Sequence, residues 1–380
     1  MPNKRIFYAC QAVALARDGG GTLTEAHGVQ SAQVNTSFEL RPINEYGQLE
    51  TYENIENIPN VEVTLEKHLD GYAPLLTLAT IGAPDATLTG RSAQKCIFYL
   101  SVFDDTTSFA SGVPVGALWC SGMYWSASSF TFPVDGDATE SLTLLGNHKK
   151  WFSTASQTPF DGVTGFGPTV DSPRSISGSG GIVQREDLMF IYNDVNFASP
   201  DQNGMVVSNK GCVLPADLPG IGPSGMNLKV GGDFNCHLQD ISVSCDVGRD
   251  EIFEQGRKIP FHRYITFPVT VTCDIGVLLT STDNISATED GGENGAAVGS
   301  NLRENTIKLV TREGLFLDLG VKNKLSSVNY TGGDTGGGNV IAQYSYQNQN
   351  GYTVKHTNDP TTGIRQAHQN WTTGSQGSYT

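Results

Sequence analysis

The 380-residue sequence has few charged residues, and basic residues are the scarcer sign. Asp, Glu, Lys and Arg together make up 17% of the chain, with 24 Lys and Arg against 39 Asp and Glu and a formal net charge of −15. This composition disfavours tight binding to nucleic acid, because affinity for DNA comes mainly from Lys and Arg side chains that contact the phosphates. Simple solubility is the ordinary explanation of this charge, and the sharper alternative is a surface that must not hold a passing polyanion.

Paired cysteines and long apolar runs are also missing. Seven cysteines are scattered between Cys10 and Cys273 without C-x-x-C spacing. A zinc site or a disulfide framework needs closer, paired spacings, so we expect buried free thiols in a reducing compartment. No stretch approaches the length of a membrane helix, and the N-terminus lacks the long apolar core of a secretion signal.

Motifs that carry catalysis or bind cofactors are absent or poorly placed. Residues 220–225 match G-x-G-x-x-G, but prolines crowd them and a strand-like segment follows, so the pattern predicts a loop rather than a dinucleotide site. Residues 135–140 carry carboxylates without the spacing of an EF-hand. No G-x-S-x-G or H-x-x-x-H spacing occurs. The sequence therefore predicts no enzyme, no metal and no cofactor.

The chain is instead rich in turn residues between short Val, Thr, Tyr and Phe segments. It contains 44 Gly and 17 Pro, while 38% of its residues are hydrophobic. Short alternating segments bounded by turn residues are typical of β-sandwiches and β-barrels. The sequence predicts a mainly β fold.

One segment recurs in the second half of the chain. Residues 29–34 (VQSAQV) are echoed by 238–243 (LQDISV), at an offset of 209, and each copy is followed by a proline and a second alternating segment. Residues 128–132 (SSFTF) also match 326–330 (SSVNY), at an offset of 198. Because the order is kept, we expect one β domain to have been copied in tandem.

The domain boundaries follow from composition. We expect a first domain at 1–155, a Gly/Ser/Pro-rich linker at 156–182, a second domain at 183–357 and a polar tail at 358–380. Each domain is expected to hold one short helix. The segments 72–81 and 94–100 are the candidates in the first domain, and 300–310 is the candidate in the second.

Four predicted strands alternate between an apolar and a polar face, so one face of each is expected on a core and the other in water. The apolar sets are Ala32, Val34, Phe38 and Leu40; Val61, Val63 and Leu65; Ile241, Val243 and Cys245; Val269, Val271 and Cys273. The polar sets are Gln33, Asn35, Ser37 and Glu39; Glu62, Thr64 and Glu66; Ser242, Ser244 and Asp246; Thr270, Thr272 and Asp274. The polar sets contain no Lys or Arg, which suits a wall along which a polyanion passes.

At the repeated block the chain resembles the tail tube proteins of long-tailed bacteriophages. The resemblance lies in residues 238–275, with an E-x-x-E-x-G-R-K turn at 251–258 and an F-P-V-x-V-T strand at 267–272, and in residues 45–71 and 140–151. It implies two tandem tail-tube-type domains whose inner hairpins join those of neighbours in a barrel around a DNA channel. Known tubes are stacked rings of six such units, which implies a trimeric pseudo-hexamer here.

The resemblance also implies location and partners. We expect synthesis in the host cytoplasm and a place in the virion tail, with self-association, contacts to tape measure, terminator and baseplate proteins, and DNA transit without specific binding. Under this resemblance, the side chains of the four polar sets are expected to line the channel. The loops 45–58 and 248–264 are expected to contact the next ring through Glu45, Tyr46, Glu251, Glu254, Arg257 and Lys258.

Two alternatives remain open. Another β-rich virion protein, such as a tail terminator, neck or head-decoration subunit, would share these patterns. A carbohydrate-binding β-sandwich is the other, and it calls for an exposed aromatic platform. The four tryptophans, Trp119, Trp125, Trp151 and Trp371, are dispersed along the chain and do not suggest one.

Overall fold

A computed structural model describes the fold over most of both halves of the chain. The described residues are 6, 8–19, 23–104, 114–152, 182–188, 212–221, 229–230, 233–234, 236–280, 304–311, 315–331 and 339–356. Apart from residue 182, the predicted linker lies outside them, and so does the predicted tail.

The protein is mainly β, as the sequence predicts. The first ten strands are β1 (Gln11–Arg17), β2 (Thr24–Glu25), β3 (Val29–Ser37), β4 (Leu40–Asn44), β5 (Thr51–Glu56), β6 (Asn60–His68), β7 (Cys96–Val102), β8 (Gly116–Pro133), β9 (Thr139–Gly146) and β10 (His148–Phe152). The others are β11 (Lys229–Val230), β12 (Asp233–Phe234), β13 (His237–Asp246), β14 (Arg249–Ile252), β15 (His262–Ile265), β16 (Thr270–Leu278), β17 (Lys308–Val310), β18 (Leu315–Asp318), β19 (Lys324–Thr331), β20 (Ile341–Gln349) and β21 (Thr353–His356).

Helices are few and short. The helix predicted within 72–81 is present as α1 (Leu75–Ala79), and a second, α2, covers Leu88–Arg91. Single 3-10 turns lie at Tyr8–Cys10 and Arg185–Asp187. No helix in the described part of the chain is long and apolar enough to cross a membrane.

Two helix predictions are wrong. Residues 94–100 enter β7, in which every residue is buried. A short apolar run buried on both faces does not alternate, so its periodicity does not separate a strand from a buried helix. Residues 304–310 of the segment 300–310 are extended and include β17, while 300–303 lie outside the described residues.

An eight-stranded antiparallel sheet, here called the main sheet, spans both halves in the order β3-β6-β9-β8-β13-β16-β20-β19. The long strand β8 changes partners along its length. Its second part belongs to the main sheet, and its first part pairs with β7 and β10 in a second sheet that continues to β1 and β2. Gly122, with a φ of 65°, lies at the changeover and adopts a backbone conformation that favours glycine.

Smaller sheets complete the fold. β17, β18 and β21 form a three-stranded sheet. The hairpins β4–β5 and β14–β15 each connect the first and second strands of one half of the main sheet. Most of the buried apolar residues form one large cluster that runs from Val13 to Val354, and a smaller second cluster includes Ala14, Ile97 and Tyr99 of β1 and β7. All seven cysteines are buried and free, as predicted.

Strand pairing follows the same order in the two halves, β3-β6-β9-β8 in the first and β13-β16-β20-β19 in the second. β3 carries a register shift between Val29 and Ser31, and β13 carries one between Leu238 and Asp240, which is the same offset of 209 that relates the repeated segments. The shifts in β8 (Trp125/Ala127) and β19 (Leu325/Ser327) are related by an offset of 200.

The two hairpins also share a register. Leu40 is opposite Glu56 in the first and Arg249 is opposite Ile265 in the second, so both pairs are offset by 209. The sequence match of 128–132 with 326–330, at an offset of 198, therefore differs by two from the pairing register. A shift of two leaves each side chain on the same face of a strand.

Candidate channel-lining face and free sheet edges

The main sheet has one core face and one polar face, and the predicted alternation is correct for most residues. Val61, Val63, Leu65, Ile241, Val243, Cys245, Val269, Val271 and Cys273 are buried. The opposite face carries the predicted polar side chains Gln33, Asn35, Ser37, Glu62, Thr64, Glu66, Ser242, Ser244, Asp246, Thr270, Thr272 and Asp274, all half-buried or exposed. Period-two side-chain geometry explains this separation.

Three predicted positions around the end of β3 are wrong. Glu39 is not on the polar face of the sheet, because β3 ends at Ser37 and Glu39 lies in the link to β4. There its carboxylate accepts a hydrogen bond from Asn57 Nδ2 at 3.4 Å. Phe38 and Leu40 were expected on the core, but they are 64% and 59% exposed. The alternation continues in the sequence after the strand has ended.

Hydroxyl and carboxylate groups bond across neighbouring strands on the polar face. Ser244 Oγ and Thr272 Oγ1 are 2.5 Å apart, and Ser345 Oγ donates to Asp274 Oδ1 at 2.5 Å. Ser31 Oγ donates to Glu66 Oε2 at 3.1 Å. These hydrogen bonds hold the short polar side chains close to the surface of the sheet.

The sequence analysis missed part of this face. In β9 and β20, the half-buried or exposed Ser141, Thr143, Gln343, Ser345 and Gln347 alternate with buried residues. Their alternation in the sequence could have identified them. Within the described main-sheet strands, Lys324 at the start of β19 is the one Lys or Arg on the polar face.

The main sheet ends in two edges, β3 and β19. In the described part of the chain each of these strands pairs on one side only, β3 with β6 and β19 with β20. Large apolar side chains are exposed beside them, namely Phe38 and Leu40 at the first edge and Tyr330, 50% exposed, at the second. An open edge with exposed apolar groups is a surface for pairing with another chain.

The junction between the two halves has the opposite character. β8 and β13 pair along the second part of β8, with Phe130 opposite Val243 and Ser129 opposite Ser244. Phe130 and Val243 are fully buried, and Val247, which follows β13, is 2% exposed. The backbone N–H of Val247 donates to Ser126 O at 2.8 Å, which extends the pairing to the bulge of β8.

Arg249 anchors the second hairpin to this junction. Its guanidinium donates to Trp125 O at 2.6 Å and to Ser92 O at 2.9 Å, and lies 4.7 Å from the centre of the Tyr124 ring. Burial lowers the pKa of Arg249 to about 10. Beside it, Tyr124 Oη and His262 Nδ1 are 3.3 Å apart.

The two hairpins stand at the same end of the main sheet. A cleft of about 440 Å³ lies between the base of the first hairpin, at Glu39 and Asn57, and the outer part of the second, at Phe253 and Lys258. Tyr46 at the tip of the first hairpin is fully exposed, and Glu45 beside it is exposed. In the second, Glu251 is held in an ion pair 2.5 Å from Arg263. The first hairpin carries Glu45, Glu50, Glu53 and Glu56 against Arg41, whereas the second carries Asp250, Glu251 and Glu254 against Arg249, Arg257, Lys258 and Arg263.

A buried ionic cluster supports the core face and has no counterpart in the sequence predictions. Lys67, fully buried, donates to Asp70 Oδ1 at 2.9 Å and to Ala73 O at 3.2 Å. The two carboxylate oxygens of buried Glu140 accept from Leu75 N and Leu76 N at 2.7 and 2.8 Å, which fixes the start of α1. Burial raises the pKa of Glu140 to about 7.

Among the described residues, no three His, Cys, Asp or Glu side chains are grouped as a metal site requires. A scan against protein-family models finds no match, and a sequence comparison with curated proteins finds none.

Partial structural likeness is found to chains of contractile injection systems. A chain of the anti-feeding prophage baseplate and one of its tube-terminating cap are each 13% identical, with a TM-score of 0.31. Each alignment covers 40% of this chain, and 97% and 95% of those chains. A chain of the PVC sheath/tube terminator of an extracellular contractile injection system is 13% identical at a TM-score of 0.30, covering 40% of this chain and 99% of that chain.

Proposed function

We propose that this protein is the structural subunit of a bacteriophage tail tube. Copies join edge to edge into rings, the rings stack, and the polar face of the main sheet lines a channel for DNA. The observation that carries the proposal is the β8–β13 junction. Within one chain it joins two four-stranded sets of the same order, and the two edges that correspond to it, β3 and β19, are unpaired on their outer sides among the described residues.

The correspondence rests on register. The shared strand order, the bulges and the hairpin pairs support a tandem copy of one domain, with 1–155 and 183–357 as the two units. Under that equivalence β3 corresponds to β13 at an offset of 209, and β8 corresponds to β19 at an offset of 200. Joining β19 of one copy to β3 of the next therefore repeats a junction that the chain already makes.

Burial at equivalent positions supports the same join. Exposed Phe38 corresponds to Val247, which is 2% exposed, and half-exposed Tyr330 corresponds to Phe130, which is fully buried. A neighbouring copy would cover both. Head-to-tail joining forms a ring when the rotation closes, and closure removes every open edge. Three copies supply the six units of a pseudo-hexamer.

Such a ring has an open bore. Three copies of the eight-stranded sheet give about 24 strands, and at about 4.8 Å per strand the barrel is about 37 Å across before strand tilt widens it. Barrels of this size are too wide for side chains to fill. Glu62, Glu66, Asp246 and Asp274 would repel phosphates, so DNA passes without being held.

The two hairpins extend from one end of the sheet and are proposed to contact the next ring through Glu45, Tyr46, Glu254, Arg257 and Lys258. Glu251 is less available because Arg263 already holds it. The other proposed partners are the tape measure, terminator and baseplate proteins, which meet the tube at its interior and its ends. The protein would then reside in the virion tail, with no catalytic role.

Disulfide trapping at a defined register tests the ring. Ser129 is opposite Ser244 within the chain, so Asn329 of one copy should be opposite Asn35 of the next. Directly opposite residues are about 4.5–5.5 Å apart at Cα, within reach of a disulfide. Because the native cysteines are buried, the variant N35C/N329C should oxidise selectively to covalent dimers and trimers.

The control pair is S327C with Q33C. Those residues are about four positions out of register, roughly 13 Å apart, and should not be trapped. Equal yields for both pairs, or no trapping in assembled protein, would overturn the edge-to-edge ring. Electron microscopy of the same samples should show tubes of uniform bore; single rings that never stack would indicate a tail terminator instead.

A further inference from the structure

We infer that an ion pair between Lys324 of one copy and Glu53 of the next closes each junction between copies. The inference rests on the proposed ring. It adds a partner for two exposed charges, and it gives the junction between copies a chemistry different from that of the junction inside the chain.

The pair follows from a contact inside the chain. Tyr124 Oη and His262 Nδ1 are 3.3 Å apart, where β8 passes the β14–β15 hairpin. Tyr124 is opposite Leu145 and Lys324 is opposite Gln347, so the offset of 200 holds at this position. In the second hairpin His262 is opposite Ile252, and in the first hairpin Glu53 is opposite Ile43. Corresponding residues of the two pairs differ by 209, so Glu53 corresponds to His262.

The chemistry at these positions is complementary. A tyrosine hydroxyl and a histidine ring nitrogen inside the chain are replaced at the free edges by a lysine ammonium and a glutamate carboxylate. Lysine and tyrosine place their polar ends at similar distances from the backbone, so the register brings the two charges within ion-pair range. Both side chains are exposed, and among the described residues neither has an ion-pair partner in its own chain.

The surroundings of the pair also change. At the junction inside the chain the cationic side chain is on the hairpin, where Arg249 lies over the Tyr124 ring. At the free edge the residue equivalent to Arg249 is Leu40, 59% exposed, and the cation has moved to the strand as Lys324. Leu40 would pack on the apolar stem of Lys324 and partly exclude water, which strengthens an ion pair beyond its value on an open surface.

Charge reversal in the full-length protein tests the pair. The variants K324E and E53K should each lower the equilibrium constant for joining copies by about fivefold or more at low salt, since an attractive contact becomes repulsive. The double variant K324E/E53K should restore assembly. Assembled fraction is measured by sedimentation velocity from about 0.05 to about 0.5 M NaCl, over which screening should reduce the difference between variants.

The matched control is E50K, which makes the same charge change at another exposed glutamate of the same hairpin and leaves the proposed inter-ring residue Glu45 unchanged. It should not rescue K324E. Rescue by E50K, no rescue by E53K, or single variants that assemble as well as the wild type at low salt would each overturn the ion pair.

Disulfide trapping of N35C/N329C, carried out in the K324E background, separates the two proposals. If trapping persists in the K324E background while E53K gives no rescue, only the ion-pair proposal is refuted. If N35C/N329C is not trapped in the otherwise wild-type protein, the ring proposal itself is refuted. Both substituted side chains are exposed, so thermal melting of each monomer should match the wild type and exclude misfolding.

Discussion

Glu140 is the side chain whose removal should cost the most stability among those that the sequence analysis missed. It is fully buried, and its two oxygens accept the first backbone N–H groups of α1. Each buried N–H left without an acceptor costs about 1–3 kcal/mol. Glu140→Ala removes both acceptors and a nearby counter-charge of buried Lys67, so the free energy of unfolding should fall by about 3–5 kcal/mol.

The same carboxyl group should make stability depend on pH. Its pKa in the folded protein is about 7, against an ordinary value of 4.5. A carboxyl group whose pKa is raised on folding binds its proton more tightly in the folded state, so stability is lost as pH rises between those two values. From pH 5 to pH 7 the contribution of Glu140 to that loss should be about 2 kcal/mol, and Glu140→Gln should remove this contribution while that of Glu25, whose pKa burial also raises to about 7, remains.

Urea unfolding followed by tryptophan fluorescence at pH 5 and pH 7 measures both effects. Trp125 is buried in the same core cluster and should report the transition. Glu62→Gln, on the polar face, is the control and should change stability by less than about 0.5 kcal/mol. If Glu140→Gln keeps the full pH dependence of the wild type, or Glu140→Ala unfolds at the same urea concentration, the proposed role of Glu140 in anchoring α1 is wrong.

Two further predictions concern the proposed tube. Replacing Glu62, Glu66, Asp246 and Asp274 with Lys should leave ring formation intact and slow genome ejection from virions, because cations on the channel wall would hold phosphates; unchanged ejection kinetics would contradict the proposed lining. Replacing Arg257 and Lys258 with Glu should reduce stacking of rings in electron micrographs while N35C/N329C trapping persists, and tubes of normal length would contradict a role of this hairpin tip between rings.

Alternation made the sheet faces predictable from sequence. Val61, Val63 and Leu65 alternate with Glu62, Thr64 and Glu66, and a strand that buries one face has a single arrangement compatible with that pattern. The recurrence of 29–34 at 238–243 was also visible, and the bulges of β3 and β13 share that spacing. Prediction was poorer for residues 94–100, where burial on both faces removes the periodic signal.

The charged core residues could not be read from the sequence. Lys67 continues the apolar face of β6, and Glu140 lies on β9 opposite it. In a sequence both resemble ordinary solvated charges, and their burial depends on α1 and Asp70 arriving from elsewhere in the chain. A charged side chain is buried only where partners compensate its lost hydration, and those partners are set by tertiary contacts.

By itself the sequence determined the β class, the two faces of the strands and the repeated order of segments, because these depend on local periodicity and spacing. Only the tertiary structure decided that β8 pairs with β13, that β3 and β19 are the edges of the main sheet in the described part of the chain, and that Phe38 and Tyr330 are exposed there. Pairing between strands so far apart in the chain depends on how the whole core closes, and residue order alone does not specify it.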